Sequence, residues 1–193
     1  MNKRLVIIAA IVLLSGCWKP EPTHTLMIMG DSIMQQQVGI FSGNVLSRDN
    51  APMIINNAIG GTPTDGPYWT GRINAARAMA PDLSIIFVSL GTNDGSLYSE
   101  DEAALYAEFP AAVDAIMVAA TGVEVYWQLP NSRSSMDHRE AVRAMLFEAE
   151  AAHSNLHLIE PEVGTGWFIA DDIHLTPKGI TGLVSVSLSI LGY

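Results

Sequence analysis

The 193-residue chain holds a single cysteine, Cys17. An internal disulfide is therefore excluded, and stability has to come from packed apolar side chains. Positive charge is scarce as well. Ten Lys and Arg stand against twenty Asp and Glu, for a formal net charge of −10. So acidic a chain lacks the basic patches that grip a phosphate backbone, and no nucleic-acid partner is expected. Neither Gly-x-Gly-x-x-Gly nor the phosphate-loop pattern occurs, so nothing points to a nucleotide. No paired His or Cys spacing supports zinc, and neither a metal nor an organic cofactor is expected. What the chain does have is apolar material. Hydrophobic residues make up 49% and charged residues 16%. That suffices for a core and shows little sign of disorder. The length suits one domain.

The N-terminus reads as a targeting segment. Lys3 and Arg4 precede an uninterrupted apolar run over residues 5–14. The run fits the hydrophobic region of a signal peptide and is too short to span a bilayer comfortably. Leu14-Ser15-Gly16-Cys17 closes it and resembles a bacterial lipobox. The resemblance implies cleavage before Cys17 and lipid attachment there, with several acyl chains giving a stable anchor. Residues 1–16 are thus expected to be removed, and loss of Lys3 and Arg4 takes the charge from −10 to −12. Residues 17–24 are expected to form a short tether, with Pro20 and Pro22 favouring extended backbone. At full extension it reaches about 25 Å, which keeps the domain close to the membrane. Trp18 rather than Asp after the cysteine leans towards the outer membrane, periplasmic side, in a Gram-negative cell. The expected location is the cell envelope.

Residues 25–193 form the expected domain. Five short apolar runs read as strands: 26–29, 53–56, 83–90, 123–129 and 156–159. They are continuous rather than alternating, as strands covered on both faces should be. Helical periodicity marks 103–120, 138–153, where charges interleave with Val142, Met145 and Leu146, and 180–191. Pro63, Gly66, Pro67 and Gly71 are read as a loop after the second strand. Strand–helix alternation of this kind predicts a parallel sheet with helices on both faces.

Three short blocks sit at or just after strand ends, Gly30-Asp31-Ser32, Asn57-Ala58-Ile59-Gly60-Gly61 and Gly91-Thr92-Asn93-Asp94, with a fourth near the C-terminus, Asp171-Asp172-Ile173-His174. In order and spacing they resemble the SGNH (GDSL-type) hydrolase family, over essentially all of residues 25–193. Ser32 is followed by Ile33-Met34, so the Gly-x-Ser-x-Gly elbow of the α/β-hydrolases is absent. A serine hydroxyl is a weak nucleophile unless a base takes its proton. His174 is the candidate base, and later the acid that protonates the leaving group. Asp171, three residues earlier, can accept the other imidazole N–H and fix the tautomer; Asp172 stands at the wrong offset but is a possible substitute. The resemblance also implies an oxyanion hole made of the Ser32 N–H, a glycine N–H and the Asn93 amide. Alignment favours Gly61 for the glycine, with Gly60 as the fallback. Asp31 and Asp94 are expected to hold the loops that carry Ser32 and Asn93. Trp167 and Phe168 either line the cleft or pack, and Asn131, Ser132 and Arg133 follow the fourth strand. The remaining histidines are expected to be idle: His138 and His153 solvated at helix ends, His157 in or beside a strand, His24 in the tether.

The resemblance implies a three-layer α/β/α sandwich of flavodoxin-like kind, with about five parallel strands. It implies a serine esterase that hydrolyses carboxylic esters or thioesters through an acyl-Ser32 intermediate, without a cofactor. The expected substrate is a small acyl ester, either on a lipid or on an acylated glycan. Glycan O-deacetylation, lysophospholipase or thioesterase action, acyl transfer to an alcohol, and a non-catalytic envelope binding module are the competing readings. An intact set of Ser32, Asn93, Asp171 and His174 argues against the last.

Overall fold

The computed structural model describes residues 24–48, 51–130, 138–160 and 164–193. The expected signal segment, Cys17 and most of the tether lie outside these residues, as do Asn131, Ser132 and Arg133. His24 is described. Its carbonyl accepts from Met53 N–H and its ring meets the Tyr193 hydroxyl at 2.9 Å.

Five strands form one parallel sheet: β1 Thr25–Gly30, β2 Met53–Ala58, β3 Leu83–Ser89, β4 Glu124–Gln128 and β5 Leu156–Ile159. Their order is β2-β1-β3-β4-β5. This is the flavodoxin-like order, whose topological switch point lies between β1 and β3. The helices are α1 Ser32–Leu46, α2 Gly66–Met79, the short α3 Asp94–Leu97, α4 Glu102–Ala119, α5 Arg139–Ala152 and α6 Pro177–Leu191. The expected α/β class and parallel sheet are what the chain adopts.

β1 shows why continuous apolar runs make a central strand. All six of its residues are buried. Successive side chains point to opposite faces, so Leu26 and Ile28 join Phe41, Phe87, Val184 and Leu188 on one side. Met27 and Met29 join Trp69, Ile73, Phe109 and Trp127 on the other. The first cluster sits under α1 and α6, which pack against each other, and the second under α2, α4 and α5. The result is three layers with a core on each face of the sheet.

Two expectations need correction. The loop after β2 ends at Asp65, and Gly66 to Met79 is helical. Asp65 caps that helix by accepting from Tyr68 N–H at 2.9 Å. Pro67 falls in the first turn, where a missing N–H costs nothing. Trp69, Ile73 and Ala76 then bury one helical face, and this burial outweighs the low helix propensity of Gly71 on the exposed side. His138 is buried rather than solvated. Its carbonyl accepts from Val142 N–H in the first turn of α5, and that helix is drawn onto the sheet by Val142 and Leu146.

Candidate active site

The first three blocks stand directly at the carboxyl ends of β1, β2 and β3, and the fourth comes in from the segment after β5. β1 brings Ser32 to the switch point. Gly30, its last residue, lies so close to β3 that a Cβ there would stand 2.6 Å from the Ser89 carbonyl and 2.6 Å from Met34 Cβ. Only glycine fits, and the tight approach lets Asp31 N–H donate to Ser89 O at 3.0 Å. Asp31 caps α1 by accepting from Ile33 N–H at 2.9 Å. Ser32 is the first helical residue. Its N–H therefore has no intrahelical partner, and it stands at the positive end of a fifteen-residue helix.

The base arrives on a strap, residues 164–176, that doubles back on itself. Phe168 and Leu175 form an antiparallel bridge. Ile169 N–H donates to His174 O at 2.9 Å, Thr176 N–H to Trp167 O at 2.8 Å, and Asp172 N–H to Ile169 O at 3.0 Å. Within this turn Asp171 grips its neighbours. Its Oδ1 accepts from the N–H groups of Ile173 at 2.9 Å and His174 at 2.8 Å. Its Oδ2 lies 2.7 Å from His174 Nδ1. His174 Nε2 then reaches Ser32 Oγ at 3.2 Å. With Nδ1–H donating to the carboxylate, Nε2 is left as the acceptor for the serine proton. The structure thus joins Ser32, His174 and Asp171 in one chain of hydrogen bonds. Asp172 is exposed, with φ +57°. Its place in the turn is to bend the chain, and it is Asp171 that meets the imidazole.

The oxyanion candidates lie on two loops. Gly60 is the glycine beside the nucleophile: a Cβ on it would stand 3.8 Å from Ser32 Cβ. Gly61 follows with φ +75° and open space around it. Asn93 Nδ2 donates to Thr62 O at 3.3 Å, which leaves its second amide hydrogen for a ligand. Asp94 accepts from Thr64 N–H at 3.1 Å and from Thr64 Oγ1 at 2.9 Å. The loop after β3 therefore holds the loop after β2. Thr62 and Thr64 carry no sequence signal, because their partners are about thirty positions away.

The carboxylates are in unlike environments. Burial pushes Asp31 up to about 7; the Ile33 N–H opposes this and the nearby Asp94 charge adds to it. Asp31 Oδ2 is buried without a partner among the described residues. Burial also raises Asp94, against the two Thr64 bonds. Asp171 goes the other way, lowered to about 2 by its side-chain bond to His174 and by the backbone N–H groups of Ile173 and His174. An ionised Asp171 beside the imidazole is what stabilises an imidazolium.

Trp167 and Phe168 pack against Ile33, Leu175 and Leu183, with Trp167 lying on α6 at Gly179 and Gly182. Exposed Ile59, Leu97 and Ile169 come from the loop after β2, the end of α3 and the strap. A cleft of 540 Å³ opens between the start of α2, α3 and α4, lined by Thr64, Asp65, Leu97, Tyr98 and Glu108 among others. It adjoins the Thr64–Asp94 link, and none of Ser32, Asp171 and His174 lines it. Among the described residues, no three His, Cys, Asp or Glu side chains are grouped to hold a metal ion.

The model of the GDSL-like lipase/acylhydrolase family matches residues 28–180. A search of curated protein sequences finds no match. Solved structures share the fold at low identity. The acetylxylan esterase Axe2 from Geobacillus stearothermophilus superposes with a TM-score of 0.64 at 13% identity, over 91% of this chain and 97% of its own. The psychrotrophic esterase EstA from Pseudoalteromonas gives 0.64 at 14% identity, over 88% and 97%. A lipolytic G-D-S-L family protein from Veillonella parvula gives 0.64 at 22% identity, over 88% and 98%. The chain belongs to the GDSL-like lipase/acylhydrolase family, the SGNH-type family that its four blocks resemble, and is a carboxylic ester hydrolase.

Proposed function

We propose that the protein hydrolyses esters through an acyl-Ser32 intermediate. The observation that carries this is the continuous chain Asp171 Oδ2–His174–Ser32 Oγ, with bonds of 2.7 and 3.2 Å. His174 Nε2 takes the hydroxyl proton as Ser32 Oγ attacks the acyl carbon, and the negative charge moves to the carbonyl oxygen. That oxygen meets the Ser32 N–H, an N–H from the Gly60–Gly61 pair and the free hydrogen of the Asn93 amide. The approach of Gly60 to Ser32 supports Gly60 as the donor, beside the Gly61 favoured by alignment. His174 then protonates the leaving alcohol, and water activated by the same nitrogen releases the acid. Thioesters suit the same steps.

The first acyl group to test is acetyl on a glycan. Axe2 and a further neighbour are acetylxylan esterases; at 13% identity they lend this chain a fold and a starting point for substrates. Lipid acyl chains are the competing class, favoured by the exposed Ile59, Leu97 and Ile169. A p-nitrophenyl ester series from acetyl to palmitoyl decides between them. Peak kcat/KM at acetyl supports the deacetylase, and a peak at long chains the lipase. Ser32→Ala should abolish turnover and fluorophosphonate labelling together. Retained activity would overturn the mechanism.

The same reading places the enzyme in the bacterial envelope on a lipid at Cys17, supported by the basic start, the apolar run and the Leu14–Cys17 motif. Cys17→Ser should move the protein from the membrane to the soluble fraction.

A further inference from the structure

Gln35, Gln36 and Gln37 are consecutive on α1, and successive α-helical positions are about 100° apart. They therefore reach in three directions. Gln37 is buried and turns to the sheet, where its Nε2 donates to Ile33 O at 3.0 Å and to Gln128 Oε1 at 3.2 Å. Gln35 is exposed, and its carboxamide oxygen lies against Gly60. Gln36 stands four residues after Ser32, one turn along the same helical face. Its Oε1 accepts from Leu175 N–H at 3.1 Å. Leu175 is the residue after His174.

That bond does something the strap cannot do for itself. The backbone bonds between Ile169 and His174 and between Thr176 and Trp167 set the strap's shape, not its place against α1. Ile33, Leu175 and Leu183 pack together in a small buried cluster, so the residue after the nucleophile touches the layer of the residue after the base. Apolar contact sets how closely the two elements approach but has no direction. A hydrogen bond does have one. We infer that Gln36 is a positioning residue for the base: it fixes the Leu175 peptide on α1 and thereby aims the His174 ring at Ser32. This rests on the serine-esterase reading and adds a residue that the four sequence blocks do not contain.

Two variants separate position from bulk. Gln36→Asn stays polar but is one methylene too short to reach Leu175. Gln36→Glu keeps both the reach and an acceptor oxygen. For Gln36→Asn, kcat should fall about ten- to a hundredfold, as expected when a reacting group is misplaced by a fraction of an ångström to an ångström. KM should stay within about twofold, since substrate contacts are untouched. Gln36→Glu should recover kcat to within about threefold, and the acidic limb of its kcat/KM profile should move to higher pH, because a nearby negative charge favours the imidazolium. Parental kcat in Gln36→Asn, equal impairment of both variants, or an unmoved limb in Gln36→Glu would each overturn the proposal. If Gln36→Asn does not fold, Gln36→Met takes its place. Its rate of labelling by a fluorophosphonate should then fall about tenfold, and an unchanged rate counts against the proposal. Ser32→Ala is run in parallel. An active Ser32→Ala overturns the esterase mechanism itself, whereas an inactive Ser32→Ala with a fully active Gln36→Asn removes only the role of Gln36.

Discussion

The Asp94 carboxylate holds Thr64 twice, through the backbone N–H at 3.1 Å and through the hydroxyl at 2.9 Å. One residue opens the short helix α3 after β3 and carries Asn93 with it. The other belongs to the loop after β2 and follows Gly60 and Gly61. The pair fixes the distance between the two sides of the oxyanion site. Thr64→Val removes the hydroxyl bond and keeps the volume. It should cost about 1.5–3 kcal/mol of stability, the range for a bond to a charged group, and lower kcat about tenfold through the displaced donors. Urea unfolding and steady-state kinetics measure the two effects. A Thr64→Val enzyme with parental kcat would separate the loop link from catalysis.

Asp171 and Asp172 are adjacent in sequence and opposite in role. Asp171→Asn leaves the geometry but presents the wrong tautomer of His174, and kcat should fall on the order of 10⁴-fold. Asp172→Asn should leave kcat unchanged, since the side chain is exposed and Asn tolerates the φ of +57° found there. Asp171 also has a signature in acid. Its value is lowered to about 2, so its contribution to stability is complete above pH 3.8 and is lost as the pH falls from there through 2. The Asp171→Asn protein should lack that part of the acid transition.

Asp31 has the reverse sign. Burial raises it from 3.8 to about 7, against the Ile33 N–H, with the Asp94 charge adding to the rise. Below pH 3.8 it is protonated in both the folded and the unfolded chain and has no effect. Between 3.8 and about 7 the folded chain holds a proton that the unfolded chain has released, so stability falls as pH rises. Above about 7 the loss is complete. Asp31→Asn keeps an oxygen for the Ile33 N–H and cannot ionise. It should raise the thermal midpoint at pH 8 by ~3 °C or more and flatten its slope between pH 4 and 7. Calorimetry across that range checks this, and a lower midpoint at pH 8 would contradict it.

Gly30 tests how the nucleophile is placed. A methyl group there meets backbone at 2.6 Å, and the strands can relieve this only by moving apart. Gly30→Ala should destabilise the fold by about 1–3 kcal/mol, the usual cost of overpacking. It should also slow labelling of Ser32, two residues on, by a fluorophosphonate.

The sequence by itself indicated the strands of a parallel α/β sheet and the cast of the site. Continuous apolar runs such as residues 26–29 read as strands covered on both faces, and three of the polar blocks follow such runs at strand ends, where a parallel sheet collects its ligands. Ser32, Asn93, Asp171 and His174 were legible because the four blocks, in order and spacing, resemble the SGNH family. Local composition misled where burial overrode it: Pro67 and Gly71 look like a loop, yet Trp69 and Ile73 supply a buried helix face, and His138 looks like a solvated helix end, yet α5 is pulled onto the core. Tertiary structure alone decided the pairings. Whether Asp171 or Asp172 faces the imidazole depends on how one turn is bent. That Thr64 holds Asp94, and that His174 reaches Ser32 from 142 positions away, depends on strands set side by side. Periodicity and local motifs report what a residue does to its own segment, and a hydrogen bond across the sheet exists only once packing has brought two segments together.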